Sequence, residues 1–368
     1  MPRARKIYHV GGWKRNYGDL AIQYSMVDTL SEDSRHKLLF IPIEIKDGFK
    51  ITKEIVNVMN VEGDMLLVGG GGMIMKGDGF ETVSGWQFNI TDEALELLDI
   101  PLVIYGIGHN VFEGDRLSKE TIDHLKRTQE KSELFSVRDH GTNNFLVGCG
   151  LTPSEVIPDP AMFCPSMDVD LSCFIDTTDP LLVGVNLAGD RLDQRFRYPS
   201  DKVALYKRFR NLMLHNKKIH LILLPHMFYD MSILHGLQEY VEDLGRCTNI
   251  ADVFPEMFPE TLPMVPKLVG IYEQMSFVFG VRGHSNILSF GAGACTVGLG
   301  NHIKNSYFAE QTSGLSQNYH MSDAVDIIEQ FSFDGPQYLQ KTSADHRTRR
   351  GLRGDLDSFN KKLLEFLD

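Results

Sequence analysis

The sequence predicts an α/β protein made of two Rossmann-like halves, and three observations carry that prediction. Short β-branched or Leu-rich runs recur with helical-pattern stretches between them, which is the rhythm of parallel sheets rather than of sandwiches or bundles. The series breaks off at an aperiodic stretch and then begins again. At 368 residues, 42% of them hydrophobic, the chain is longer than one core normally serves and has the apolar material for two.

In the first series the predicted strands are Lys6–Val10, Lys37–Ile43, Met65–Val68, Leu102–Gly106, Leu134–Val137 and Glu155–Ile157. Between them Asp19–Leu30, Asp92–Leu98, Ser118–Lys131 and Asp139–Val147 read as helices, with Thr91 and Ser118 placed as N-caps. The second series has strands at Leu181–Asn186, Ile219–Leu224, Phe277–Val281 and Cys295–Leu299. Its helices fall near Ser200–Leu214, Met231–Leu244, Pro263–Gln274 and Ser285–Phe290, and a last one at Leu356–Leu367 closes the chain. The expected division is an N-terminal domain over 1–165, a linker over 166–180, a C-terminal domain over 181–335 and a tail with its helix over 336–368. Two such halves place a ligand cleft between them, at the carboxyl ends of the strands.

Bulk properties exclude several function classes. A formal net charge of −12 gives no basic face for a phosphate backbone, so nucleic acid is not an expected partner. Any anionic substrate then needs a local positive pocket. The five cysteines form no CxxC pair and no zinc-like spacing, which fits a reduced compartment and predicts no metal site. No apolar stretch approaches a membrane span or a signal-peptide core. The expectation is a cytoplasmic protein with at most peripheral contact with the inner face of a membrane. The basic run from His346 to Arg353 reads as a solvated connector, or else as an attraction for a phosphorylated or membrane-bound acceptor.

Four loop motifs could carry chemistry. The segment from Gly11 to Asp19 lies between a strand and a helix, where glycines and free helix N–H groups let a ligand approach Asn16 and Asp19. A β-to-α turn without a ligand accounts for it equally well. Four consecutive glycines, Gly69 to Gly72, follow a strand at a considerable cost in folding entropy, and close approach of a ligand or of the other domain explains Gly70, Gly71 and Gly72 better than a tight turn. His109 follows the next glycine-bearing strand end, and Arg138–Asp139 reads first as an ion pair at a helix start. The sharpest motif is Arg282–Gly283–His284, where a strand ends before a helix. A guanidinium fork fits a carboxylate or phosphate, and an imidazole beside it titrates near neutrality, so the pair suits anion binding with proton transfer. Lys304 offers a second positive contact, and His226 with Asp230 is expected as a hydrogen-bonding pair that lines the cleft.

In this order the motifs resemble the polysaccharide pyruvyl transferase family. The resemblance runs from Asn16–Tyr17–Gly18–Asp19 through Gly69–Gly72, Gly106–Ile107–Gly108, Ser136–Val137–Arg138–Asp139, Asp159–Pro160–Ala161, Gly184–Val185–Asn186–Leu187 and Pro225–His226 with Asp230, to Arg282–Gly283–His284, Lys304 and Gly314. It implies a glycosyltransferase-B-like fold and transfer of pyruvate from phosphoenolpyruvate to a sugar in a polysaccharide or glycan precursor, commonly as a cyclic ketal. It also implies that Arg282 and His284 occupy the donor site; the chemistry expected there, read from the residues, puts Arg282 on the anion and His284 as general acid, flanked by Asn186, His226, Ser285 and Lys304. The acceptor, a glycan or lipid-linked saccharide, then meets the first domain at Asn16, Asp19, Gly70, Gly71, Gly72, His109 and Arg138. No cofactor or metal is implied. Family members often carry a basic residue just after the strand that opens the second domain. Ala188 stands there in this chain, and Arg191 is the expected replacement. The same architecture also accommodates a nucleotide-sugar-dependent glycosyltransferase or a catalytically silent glycan-binding protein.

Overall fold

The computed structural model describes residues 3–75, 81–110, 116–175, 179–196, 199–300, 302–321, 323, 327–328 and 336–368. The chain forms two compact units, one from Met1–Lys14, Asp19–Ala161 and Arg350–Asp368, the other from Arg15–Gly18 and Met162–Arg349. Among the described residues no helix is long and apolar enough to cross a membrane.

The first unit is built on β1 (Arg5–Gly11), β2 (Leu38–Glu44), β3 (Met65–Ile74), β4 (Leu102–His109), β5 (Leu134–Val137) and β6 (Glu155–Val156). They form one parallel sheet in the order β2-β1-β3-β4-β5-β6. The helices are α1 (Tyr17–Asp33), α2 (Lys53–Glu62), α3 (Asp92–Glu96), α4 (Lys119–Lys131) and α5 (His140–Gly148). Their starts follow the polar side chains that can take an unpaired N–H: Thr91 accepts from Ala94 N, Ser118 from Thr121 N, and Asp139 from Thr142 N at 2.6 Å.

Two expectations change here. The four glycines are not a loop after β3 but its continuation, with Gly69 opposite Tyr105 and Gly71 opposite Ile107. A side chain on Gly69 would overlap the Tyr105 carbonyl oxygen, and one on Gly72 would come within 2.7 Å of Asn110 Cβ. The close approach that the run permits is therefore to the neighbouring strand and its exit loop and, at Gly70 and Gly71, to Ile22 of α1. The tail is not an appendage either. Leu356, Phe359, Leu363 and Leu367 recur at helical spacing, and all four are buried in the first unit from the C-terminal helix (Pro336–Glu365) and the residues after it. Phe359 meets Tyr105 edge-on at 5.3 Å, and the Tyr105 hydroxyl donates to Asn360 Oδ1 at 2.7 Å.

The second unit repeats the pattern with β7 (Leu181–Asn186), β8 (Ile219–Leu223), β9 (Cys247–Asn249), β10 (Phe277–Gly280), β11 (Cys295–Leu299) and β12 (Gln317–Tyr319). The parallel order is β12-β11-β10-β7-β8-β9. Its helices are α6 (Leu192–Arg195), α7 (Pro199–His215), α8 (Asp230–Val241), α9 (Ile250–Val253), α10 (Val265–Glu273), α11 (Gly283–Gly291) and α12 (Ile303–Gln311). The stretch expected as a linker is tied into this unit. Met167 N donates to Pro266 O at 2.9 Å, Gln274 Nε2 donates to Val169 O at 2.8 Å, and Val169 and Leu171 are buried. In this sheet the strand order reverses between β7 and β10, which brings the ends of those strands, Asn186 and Gly280, directly opposite each other.

Phe359→Ala should lower unfolding free energy by about 3–5 kcal/mol, whereas Tyr105→Phe, which loses one buried hydrogen bond, should cost about 1 kcal/mol. Chemical denaturation of the two variants beside the parent chain measures both.

Candidate active site

The reversal of strand order in the second sheet fixes the position of Arg282. Asn186, at the end of β7, donates from Nδ2 to Leu224 O at 2.7 Å and accepts Arg282 N on Oδ1 at 3.0 Å. One buried carboxamide thus joins the exits of β7, β8 and β10. Arg282 still has extended backbone angles (φ −77°, ψ 137°) and α11 begins one residue later.

The Arg282 guanidinium is gripped by carboxylates of its own chain. Nε donates to Asp230 Oδ2 at 2.8 Å, while Nη2 reaches Asp230 Oδ1 at 2.5 Å and Asp190 Oδ1 at 2.7 Å. Asp230 is fully buried and also accepts from the backbone N–H groups of Gly189, His226 and Met227 at 3.0–3.1 Å. Burial opposes the charge on Arg282, but the Asp230 and Asp190 carboxylates outweigh it and push its pKa up. Burial likewise opposes the charge on Asp190, and Arg282 followed by Arg195 brings its pKa below the usual value. The cation completing this cluster is Arg195, which donates to Asp190 O at 2.9 Å and to Asp190 Oδ1 at 3.3 Å. Arg191, the residue expected there, has a left-handed backbone conformation (φ 51°) at the start of α6. Two guanidinium groups against two carboxylates leave the cluster formally neutral, so it fixes geometry more than it attracts an anion.

Three other expected donor residues face inward. His226, Ser285 and Asn186 are all fully buried. Tyr272 OH donates to Ser285 Oγ at 2.9 Å and lies 2.8 Å from His226 Nε2, so with the phenol proton committed to serine the imidazole donates from Nε2. Burial pushes the Tyr272 phenol pKa up, which keeps the phenol protonated.

Two further residues expected at the donor site lie at the start of α11. His284 is half-buried, and its imidazole lies against Gly18, from the short segment that packs with the second unit. The Lys304 side chain runs beside Gly283, where an added Cβ would come within 3.2 Å of Lys304 Cε. His302 caps α12 by accepting Lys304 N at 3.4 Å. The His284 imidazole, the Lys304 side chain and the first turn of α11 therefore share one strand end.

The residues expected on the acceptor side each find neighbours within their own unit. Asn16 belongs with the second unit, where it accepts Gly18 N at 3.0 Å. In the first unit Asp19 pairs with Lys46 at 2.6 Å, and Gly70, Gly71 and Gly72 lie within β3. Arg138 stacks on Gly108 and pairs with Asp139 at 3.3 Å and Asp159 at 3.7 Å, which agrees with an ion pair at the start of α5. His109 is 5% exposed, stacks on Phe145 at 3.7 Å between ring centroids, and is held down to about 4 mainly by burial. Asp190, Arg195 and Tyr272 were not singled out by sequence, and Gly18 only as part of a motif, because nothing local marks a residue whose partner is distant in the chain. Among the described residues no group of His, Cys, Asp and Glu side chains could hold a metal ion.

Two doubly wound parallel sheets of six strands each define an α/β protein of the glycosyltransferase-B-like kind. Solved structures show the same fold at low identity. The S. aureus MnaA–UDP complex is 14% identical with a TM-score of 0.62, covering 92% of this chain and 91% of that one. A putative UDP-N-acetylglucosamine 2-epimerase from Listeria monocytogenes is 11% identical with a TM-score of 0.59, covering 97% and 98%. The Neisseria meningitidis UDP-GlcNAc 2-epimerase bound to UDP-GlcNAc is 12% identical with a TM-score of 0.57, covering 95% and 100%. No curated protein matches the sequence. The chain belongs to the polysaccharide pyruvyl transferase family, whose model matches residues 16–303.

Replacing Asp230 by Asn should destabilise the protein by about 3–5 kcal/mol, because it leaves the Arg282 charge without its main partner in a buried site. Lys218→Ala, which breaks an exposed pair with Asp179, should cost less than about 1 kcal/mol in the same denaturation series. A pH effect is expected from His9, fully buried with Nε2 2.8 Å from Gly69 O and its pKa lowered by burial from 6.5 to about 4. Between those values the unfolded chain takes up a proton that the folded chain refuses. Stability is therefore intact above pH 6.5 and falls towards pH 4, by on the order of 3 kcal/mol from this residue. In melts across that range, His9→Gln should show a shallower decline than the parent.

Proposed function

We propose that this member of the family transfers the pyruvyl group of phosphoenolpyruvate to hydroxyls of a saccharide, forming a ketal, with His284 as the general acid. The observation that carries the reading is the grouping of His284, Lys304 and the N-terminus of α11 at the end of β10, the strand beside which the sheet reverses its order. The ammonium of Lys304 and the N–H groups of α11 hold the carboxylate and phosphate oxygens. Arg282, its Nε and Nη2 held by Asp230 and Asp190, fixes the loop that carries them.

Protonated His284 gives its proton to the methylene carbon of the enol ether, which leaves an oxocarbenium-like centre at the adjacent carbon. A sugar hydroxyl adds there and loses its proton. Phosphate then leaves, and a second hydroxyl closes the ketal with loss of another proton. One phosphoenolpyruvate and one diol thus become one ketal and one inorganic phosphate. Lys304 holds negative charge that is present throughout, so it acts mainly on binding, whereas His284 acts on the step that breaks the double bond.

His284→Ala should lower turnover about 10²-fold or more, read as phosphate released from phosphoenolpyruvate with a saccharide acceptor. A rate near that of the parent removes His284 from the role. Lys304→Ala should raise KM for phosphoenolpyruvate by more than it lowers kcat. Because structures of similar fold hold UDP or UDP-GlcNAc, the assay needs a UDP-sugar arm. Turnover there with none from phosphoenolpyruvate would replace this reading with glycosyl transfer.

A further inference from the structure

We propose that Gly18 is a positioning residue for His284: its bare Cα is the seat on which the imidazole rests, and that seat sets where the ring nitrogens point. A Cβ built on Gly18 would stand 2.5 Å from both Cβ and Cγ of His284 and closer still to Nδ1, separations that no side chain tolerates. The obstruction involves the root of the His284 side chain as well as its ring, so a rotation about the last bond would not relieve it.

Backbone conformation does not explain a glycine here. Gly18 is the second residue of α1 and is not among the positive-φ glycines, so its backbone suits any residue. Glycine at a helical position costs up to about 1 kcal/mol relative to alanine, and the close neighbour that an alanine methyl would meet is His284. The seat is itself held firmly. Tyr17 N donates to His226 O at 3.0 Å, the Tyr17 hydroxyl donates to Met257 O, and the Tyr17 ring meets Phe258 edge-on at 5.7 Å. Asn16 Oδ1 accepts Gly18 N at 3.0 Å. The segment therefore enters the second unit with its backbone held at Tyr17 and at Gly18 itself, and the imidazole has to accommodate it.

That His284 is an acid rests on the transfer reading, but that Gly18 seats it does not, and the two are separable by experiment. With histidines labelled at Cε1 in the full chain, the His284 resonance is identified by its loss in His284→Gln. Gly18→Ala should move that resonance and its titration midpoint, while the resonances of His9, His109 and His124 stay in place. Superimposable His284 titrations in the parent and Gly18→Ala overturn the proposal. Thermal melts supply a cycle that survives a poorly stable variant: Gly18→Ala should lose several degrees in the parent background and little in the His284→Ala background, where the ring is gone. An equal loss in both backgrounds overturns it. Gly148→Ala, at a helical glycine with open space around it, is the control and should melt close to the parent. Where the parent releases phosphate from phosphoenolpyruvate, Gly18→Ala should lower kcat about tenfold or more, with KM for the donor changed much less. A parent that releases none overturns the transfer reading alone, since resonances and melts still decide the seat.

Discussion

A single buried carboxylate organises the carboxyl end of the second sheet. Asp230 accepts from three backbone N–H groups and from two nitrogens of Arg282, so the loops after β7, β8 and β10 are tied to one side chain. An isolated charge at such a depth is costly, and the arrangement is tolerable because hydrogen bonds and an opposite charge surround it. Its consequence is geometric. The strand ends cannot shift independently, so the backbone from which His284 projects inherits the rigidity of the sheet.

The same interaction alters the chemical meaning of the Arg-x-His motif. An arginine beside a histidine suggests a fork waiting for a ligand, yet Asp230 and Asp190 already face Nε and Nη2. Arg282 therefore holds the framework of the strand ends, and in the transfer reading proposed above the ligand's charge falls to Lys304, whose side chain runs beside Gly283. Arg195 belongs to the framework as well, through Asp190.

Much of the fold was legible because its strands are buried on both faces and appear as apolar runs; Leu134–Val137, Leu181–Asn186 and Cys295–Leu299 match the predicted bounds. The strands that escaped, Cys247–Asn249 and Gln317–Tyr319, are three residues long and contain polar positions, too short for any period to show. The helix Lys53–Glu62 was missed too, with only Val56 and Met59 as buried residues and so almost no apolar stripe. For the site, the glycines and the Arg-x-His motif could be located, but not what lies against them. Arg282 meets Asp230 across 52 residues and Asp190 across 92, and no local pattern encodes such a pairing. Glycine is ambiguous for the same reason. Its missing side chain announces that something comes close, and only the fold shows that for Gly69 it is a neighbouring carbonyl and for Gly18 an imidazole.

The return of the chain to its first unit has a consequence for synthesis. Residues 350–368 supply Leu356, Phe359 and Leu363 to a unit whose sheet is drawn entirely from the first 161 residues. On a ribosome the early-made sheet therefore waits, with the Phe359-facing side of Tyr105 uncovered, while the whole of the second unit is translated. That unit can be finished only after the second one has been made, and until then it carries an apolar face that nothing in its own sheet covers.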